Sequence, residues 1–169
     1  MKFYCTRFLL LPASLALVLS FPAWASDLPD PVLTPGATNL NVTQENIQQT
    51  VCVKGYTKTI RPPAHFTNKL KKRQLCEYGY TDTNPKYYEE VHLTPPSIGG
   101  NPSDPRNLWP KPRISAWDAG KKAQLKFVTY RMVCAQESTL AEVQQAVATN
   151  LIEAWKKLCI LRVSFLLSL

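Results

Sequence analysis

The chain has 169 residues, with 20 Lys and Arg against 12 Asp and Glu, a net charge of +8. That length suits one modest domain with a real core. The basic balance points to polyanions such as nucleic acid, anionic lipid or surface polysaccharide, the plain alternative being charge that only keeps the chain soluble. The 5 cysteines include no C-x-x-C pair, which argues against a zinc knuckle.

Residues 1–25 read as a secretory signal. Lys2 and Arg7 form a positive start, Phe8 to Phe21 is almost wholly apolar, and Ala23-Trp24-Ala25 carries the small-x-small pattern of a cleavage site. An uncleaved anchor is the rival reading, for which the apolar stretch is short. Cys5 precedes the apolar core, so it is not the acylated cysteine of a lipoprotein. Cleavage after Ala25 removes Lys2 and Arg7, leaving 18 basic residues against 12 acidic ones, a net +6. A periplasmic or secreted protein with no remaining membrane span is the expectation. Export permits disulfides, and Cys52, Cys76, Cys134 and Cys159 allow three complete pairings that spacing does not separate.

The segment 26–38, with Pro29, Pro31 and Pro35, suits an extended leader better than a packed element. The run TQENIQQT predicts a short helix capped by Thr43, and Thr50 to Tyr56, rich in β-type residues around Cys52, predicts a strand or extended segment. Pro62-Pro63 breaks it, and HFTNKLKKRQL predicts a helix starting near Phe66. Lys69, Lys72 and Arg73 then share one helix side at i, i+3 and i+4. From Lys54 to Arg73 there are seven basic residues and no acidic one. With Tyr56 and Phe66 alongside, this stretch is a candidate phosphate grip, against the plainer reading of a solvated helix face.

In the centre, Tyr87 to Leu93 predicts a strand, Thr94 to Pro105 a long loop containing Gly99-Gly100, and Arg106 to Trp109 a short second strand. Gly120 to Cys134 has Leu125, Val128, Met132 and Val133 at helical spacing, a stripe that packs a core. Thr139-Leu140-Ala141-Glu142 is a capping-box pattern opening a further helical stretch with Leu140, Val143, Val147, Leu151, Trp155 and Leu158 on one face, which Asn150 is placed to split. The domain is expected over 39–157. An apolar tail, LCILRVSFLLSL over 158–169, is too short to span a bilayer.

The central segment reads E-E-V-H-L-T-P-P-S-I-G-G-N-P-S-D-P-R-N-L-W-P. It resembles small exported bacterial proteins related to HNH (ββα-metal) endonucleases, whose signature runs roughly E-x-D-H-L-I-P-L-x-x-G-G-x-x-x-D-P-R-N-L-W-P. The resemblance extends from the TPGA at Thr34 to the ATNLIEAWKK helix, most of the chain after the signal. It implies a small single α+β domain with a ββα hairpin-helix unit flanked by helices. It also implies phosphodiester hydrolysis of DNA or RNA with a divalent metal (Mg, Mn, Ni or Zn), His92 as the base that takes a proton from water, and Asn107 as the residue that orients His92. Those relatives also tend to have cysteine at the positions of Cys52 and Cys134, so the resemblance implies that these two pair, leaving Cys76 and Cys159 to pair together, stay free or link chains.

The departures fall on the metal site. The aspartate that precedes the histidine in that family, a metal ligand, is Val91 here, and valine offers no lone pair. Where those relatives read K-D-x-L-E in the following helix, this chain reads Lys122-Ala123-Gln124-Leu125-Lys126, so two carboxylates are absent and one is replaced by a cation. Pro96 stands where they have leucine. Glu89, Glu90, Asp104 and Asp118 are the neighbouring oxygen donors, although strand alternation turns Glu90 away from the Val91 side and Asp118 depends on the loop path. Two further readings stand beside the damaged nuclease. One is a non-catalytic nucleic-acid binder on the same scaffold; the other is an exported interaction module using the tail and disulfides.

Overall fold

Tyr88–His92 (β1) and Leu108–Pro112 (β2) form an antiparallel hairpin in the register Tyr88↔Pro112, Glu89↔Lys111, Glu90↔Pro110, Val91↔Trp109 and His92↔Leu108. The structure, a computed structural model, describes residues 28–117 and 119–160. The expected signal over 1–25, Asp118 and positions 161–169 of the tail lie outside the described residues. Strand alternation puts Glu89, Val91, Trp109 and Lys111 on one side of the hairpin and Tyr88 and Glu90 on the other.

The second strand lies later than Arg106 to Trp109, the expected span. Pro110 and Pro112 look like strand breakers, but each strand of a two-stranded sheet is an edge, where a missing N–H costs nothing. Pro105–Asn107 forms a 3-10 turn instead, opened by Asp104, whose side chain accepts from Arg106 N.

Among the described residues, five α-helices flank the hairpin, making a small α+β domain: α1 (Tyr56–Thr59), α2 (Ala64–Glu77), α3 (Ala119–Cys134), α4 (Leu140–Thr149) and α5 (Leu151–Trp155). Local chemistry sets their ends. Thr139 Oγ1 accepts from Glu142 N at 3.2 Å while the Glu142 carboxylate accepts from Thr139 N at 2.8 Å, the reciprocal cap that opens α4. Asn150 splits the stretch, its Oδ1 accepting from Ile152 N and Glu153 N at the start of α5. Lys156–Ile160 then makes a π-helical turn that buries Cys159. The expected helix at TQENIQQT is a 3-10 helix, Gln44–Gln49, behind Thr43.

Two expectations need correction. Thr50 to Tyr56 is not a strand: Cys52 N bonds Ile47 O, Val53 N bonds Thr50 O, and Gly55 at φ 93° turns the chain into α1. Local turns satisfy that backbone, and the left-handed conformation at Gly55 is one that only glycine adopts readily. The leader is extended but also packed. Thr34 is fully buried, its Oγ1 within 2.6 Å of Tyr78 Oη and donating to Leu108 O. Gly36 N and Ala37 N donate to Arg106 O, and Thr38 bridges Gly100, so the leader clamps the hairpin loop.

The main core gathers Val42, Ile47, Leu93, Ile98, Trp117, Leu125, Val133, Val143, Val147 and Leu151, joining one side of the hairpin to α3, α4 and α5. A smaller cluster of Leu75, Tyr80 and Tyr88 joins the other side to α2. Cys52 and Cys134 form a disulfide across 82 residues, tying the end of α3 to the turn before α1. Closing so long a loop is worth on the order of 4 kcal/mol. Cys159 carries a free, buried thiol, so it is not paired with Cys76. No helix among the described residues is long and apolar enough to cross a membrane.

Candidate functional site

The loop between β1 and β2 folds around one side chain. Asn107 is fully buried; its Oδ1 accepts from Thr94 N at 2.9 Å and its Nδ2 donates to Thr94 O at 2.9 Å and Asn101 O at 2.8 Å. Gly100 lies under the same knot, where any Cβ would run into Thr94 O. This explains why the loop carries a glycine there and an asparagine at its far end. Asn107 bonds the loop and not His92 itself. It fixes the loop that holds His92.

His92 ends β1, and its Nε2 lies 2.9 Å from Pro102 O in that loop. A carbonyl only accepts, so Nε2 carries the proton and Nδ1 keeps its lone pair. Burial holds the imidazole pKa below its ordinary value, the Pro102 bond opposes this, and Lys122 and Arg61 add to the depression by repelling a second positive charge. At neutral pH, His92 is therefore an uncharged ring with a basic Nδ1.

On the Val91 side of the hairpin is a small cavity of about 20 Å³, room for about one water molecule. Val91, Trp109, Trp117, Leu125, Val147 and Leu151 make its apolar walls, and His92, Lys111, Lys122 and Lys126 also line it. Lys111 is buried, with Nζ donating to Ser115 Oγ at 2.6 Å and Pro112 O at 3.2 Å. Lys122 is pulled down to about 8, chiefly by burial, with Glu89 opposing and Lys111 and Lys126 reinforcing the fall. Its Nζ makes no hydrogen bond among the described residues.

These residues do not fit a divalent ion. Hard cations need oxygen or imidazole donors; His92 offers a single imidazole nitrogen, and the valine and three lysines around it supply none. Of the oxygen donors considered, Glu89 is exposed, outside the cavity lining, and its charge is felt by Lys122. The two oxygens of Asp104 are held by Arg106, at 3.1 Å from Nε and 2.7 Å from Nη2, and the carboxyl lines a different groove with Gly36 and Thr38. Asp118 lies outside the described residues. No three His, Cys, Asp or Glu side chains among those residues gather as a metal site.

Glu90 is turned away, as alternation requires, and carries a feature the sequence did not announce. Both its carboxyl oxygens are buried and lack a hydrogen-bond partner among the described residues. Burial pushes its pKa up to about 8, with Lys71 and Arg73 opposing. Lys69, Lys72 and Arg73 do share an exposed face of α2, with Arg73 Nε 3.0 Å from Glu77. The cations that His92 senses are others, Arg61 and Lys122. Lys111 was findable from register, opposite Glu89; Arg61 and the burial of Lys122 depend on how α3 and the 54–63 segment pack.

No protein-family model, no curated protein and no solved structure matches the chain.

Proposed function

We propose that this chain is an exported nucleic-acid-binding protein, built on a scaffold of the HNH (ββα-metal) endonuclease kind, that grips the phosphate backbone without hydrolysing it. The observation that carries the reading is the charge around His92. Its free Nδ1 suits a general base, but the ring is flanked by Arg61 and Lys122. The adjoining cavity presents lysines where hydrolysis assisted by a metal needs oxygen donors. Such a cleft repels a divalent cation and attracts a phosphate. The exposed Lys69, Lys72 and Arg73 extend the positive surface along α2. Export rests on the pattern over 1–25 together with the Cys52–Cys134 disulfide, a bond that persists in oxidising compartments.

The test is binding of labelled DNA and RNA as a function of salt, for the natural protein and for Lys69→Gln/Lys72→Gln/Arg73→Gln. Neutralising residues that contact phosphate should flatten the log–log salt slope by about one unit per lost contact. An unchanged slope returns the three to a solvated helix face. Binding to neither polymer at low salt overturns the reading.

A further inference from the structure

The cavity beside His92 is more than a damaged metal site. Lys122 and Lys126 stand one turn apart on α3, so their ammonium groups emerge on one face, and both line the cavity along with Lys111 from β2. Like charges brought together in a half-desolvated place repel and raise the energy of the empty fold. An anion seated among them relieves both costs. We propose that this cavity seats an oxygen of a dianionic phosphoryl group, with Lys122 and Lys126 as the binding residues and His92 at its mouth. The proposal rests on the reading of the His92 cleft as one that faces phosphate, and it names the group that fits best.

The shape decides between kinds of phosphate. The inner walls are Trp109, Leu125, Val147 and Leu151, all core residues, so the cavity is blind. A phosphodiester inside a polymer carries two ester arms that must both leave the site. A terminal phosphate carries one and a free phosphate none, so either presents its oxygens end-on to a dead end. Its second negative charge also gains more from two ammonium groups than a diester's single charge does. Glu89, exposed and near enough to act on the Lys122 charge, is a carboxylate that works against the anion.

The two histidines give a built-in control, because His65 lies exposed on α2 and His92 lines the cavity. Inorganic phosphate should be titrated into the full chain while both imidazole rings are followed by NMR. The expected result is movement of His92 with a rise in its pKa, because a nearby anion favours the imidazolium, and no movement of His65. Lys122→Met should abolish the His92 response. Lys126→Met, at an exposed position where folding is safe, should weaken it roughly tenfold, as loss of a charged hydrogen bond does. Glu89→Gln should strengthen it.

A second arm compares an oligonucleotide bearing a 5′ phosphate with the same sequence bearing a 5′ hydroxyl. The phosphorylated strand should bind roughly tenfold tighter, a difference that Lys126→Met erases. Equal movement of both histidines, no movement of His92, or equal affinity for the two strands overturns the phosphate seat. Salt-dependent binding of the hydroxyl strand reports separately on the proposed nucleic-acid function. If the seat fails while that binding survives, the α2 face carries the function; if both fail, the function itself falls.

Discussion

The two faces of the hairpin bury opposite charges. On the α3 side, Lys122 is pulled down to about 8 among Lys111 and Lys126. On the α2 side, Glu90 is pushed up to about 8 below Lys71 and Arg73. The same physical cause, desolvation, drives both toward neutrality, and the sheet keeps them from meeting as an ion pair. The difference lies in what surrounds each group. On the Glu90 side, Tyr80 stacks on Tyr88 at 5.0 Å and packs tilted against Tyr78 at 5.6 Å, an aromatic wall. Lys122 stands at a cavity lined by further cations. A buried charge inside a packed wall serves structure; one at a cavity mouth is available to a ligand.

Loss of the disulfide should separate the faces most strongly. Cys52→Ala/Cys134→Ala should destabilise by on the order of 4 kcal/mol in urea unfolding, through the α3 side that the bond anchors. Asn107→Ala comes next, at about 3 kcal/mol, because it strands Thr94 N, Thr94 O and Asn101 O in the interior. With the loop loosened, Pro102 O no longer restrains His92, so the ring's exposure should grow and its pKa climb toward the ordinary value. The tyrosine signals of the α2 side, read by near-UV circular dichroism, should stay put. If they collapse too, the hairpin does not insulate one face from the other.

The pH dependence sharpens the comparison. Glu90 has a folded pKa above its unfolded one, so the folded state holds the extra proton between about 4.5 and about 8, and stability falls as pH rises through that window. Lys122 has a folded pKa below its unfolded one, so the unfolded state holds the extra proton between about 8 and about 10.5, and stability rises with pH there. Together the two groups contribute a shallow minimum near pH 8. Glu90→Gln should stabilise by roughly 2 kcal/mol at pH 8, after allowance for partial solvent screening, and by nothing near pH 4. Lys122→Met should help by a smaller amount at pH 7, an advantage that fades above pH 10. Thermal unfolding across pH reads both; a stability maximum at pH 8 that neither variant alters contradicts the assignment of both charges.

Much of this was legible in the sequence where local chemistry decides. Thr139 with Glu142, Asn150, the Pro62-Pro63 break and the 3.6-residue stripe from Leu125 to Val133 each fix an element through near neighbours, and each element formed close to where that pattern placed it, α2 starting at Ala64 where a start near Phe66 was expected. What stayed hidden depends on depth and distant partners. The expected second strand stopped at Trp109, short of Pro110 and Pro112, because the edge position that admits prolines to a strand is a property of the sheet. The leader looked free because Thr34 meets Tyr78 and Leu108, which are far along the chain. The site followed the same rule. His92, Val91 and Lys126 were picked out only through the resemblance of the central segment to the HNH signature, whereas the burial of Glu90, the approach of Arg61 and the loop-closing bonds of Asn107 came only with packing.

The most direct test of the account is to offer supercoiled plasmid to the refolded chain beginning at Ser26, with Mg²⁺, Mn²⁺, Ni²⁺ or Zn²⁺, and to follow binding and nicking in the same samples. The expected result is retardation of the DNA that weakens with salt, and no nicking that depends on the metal. Nicking by the unmodified protein that EDTA abolishes would contradict it, because a cleft walled by Val91, Lys122 and Lys126 would then be holding the cation it is argued to repel.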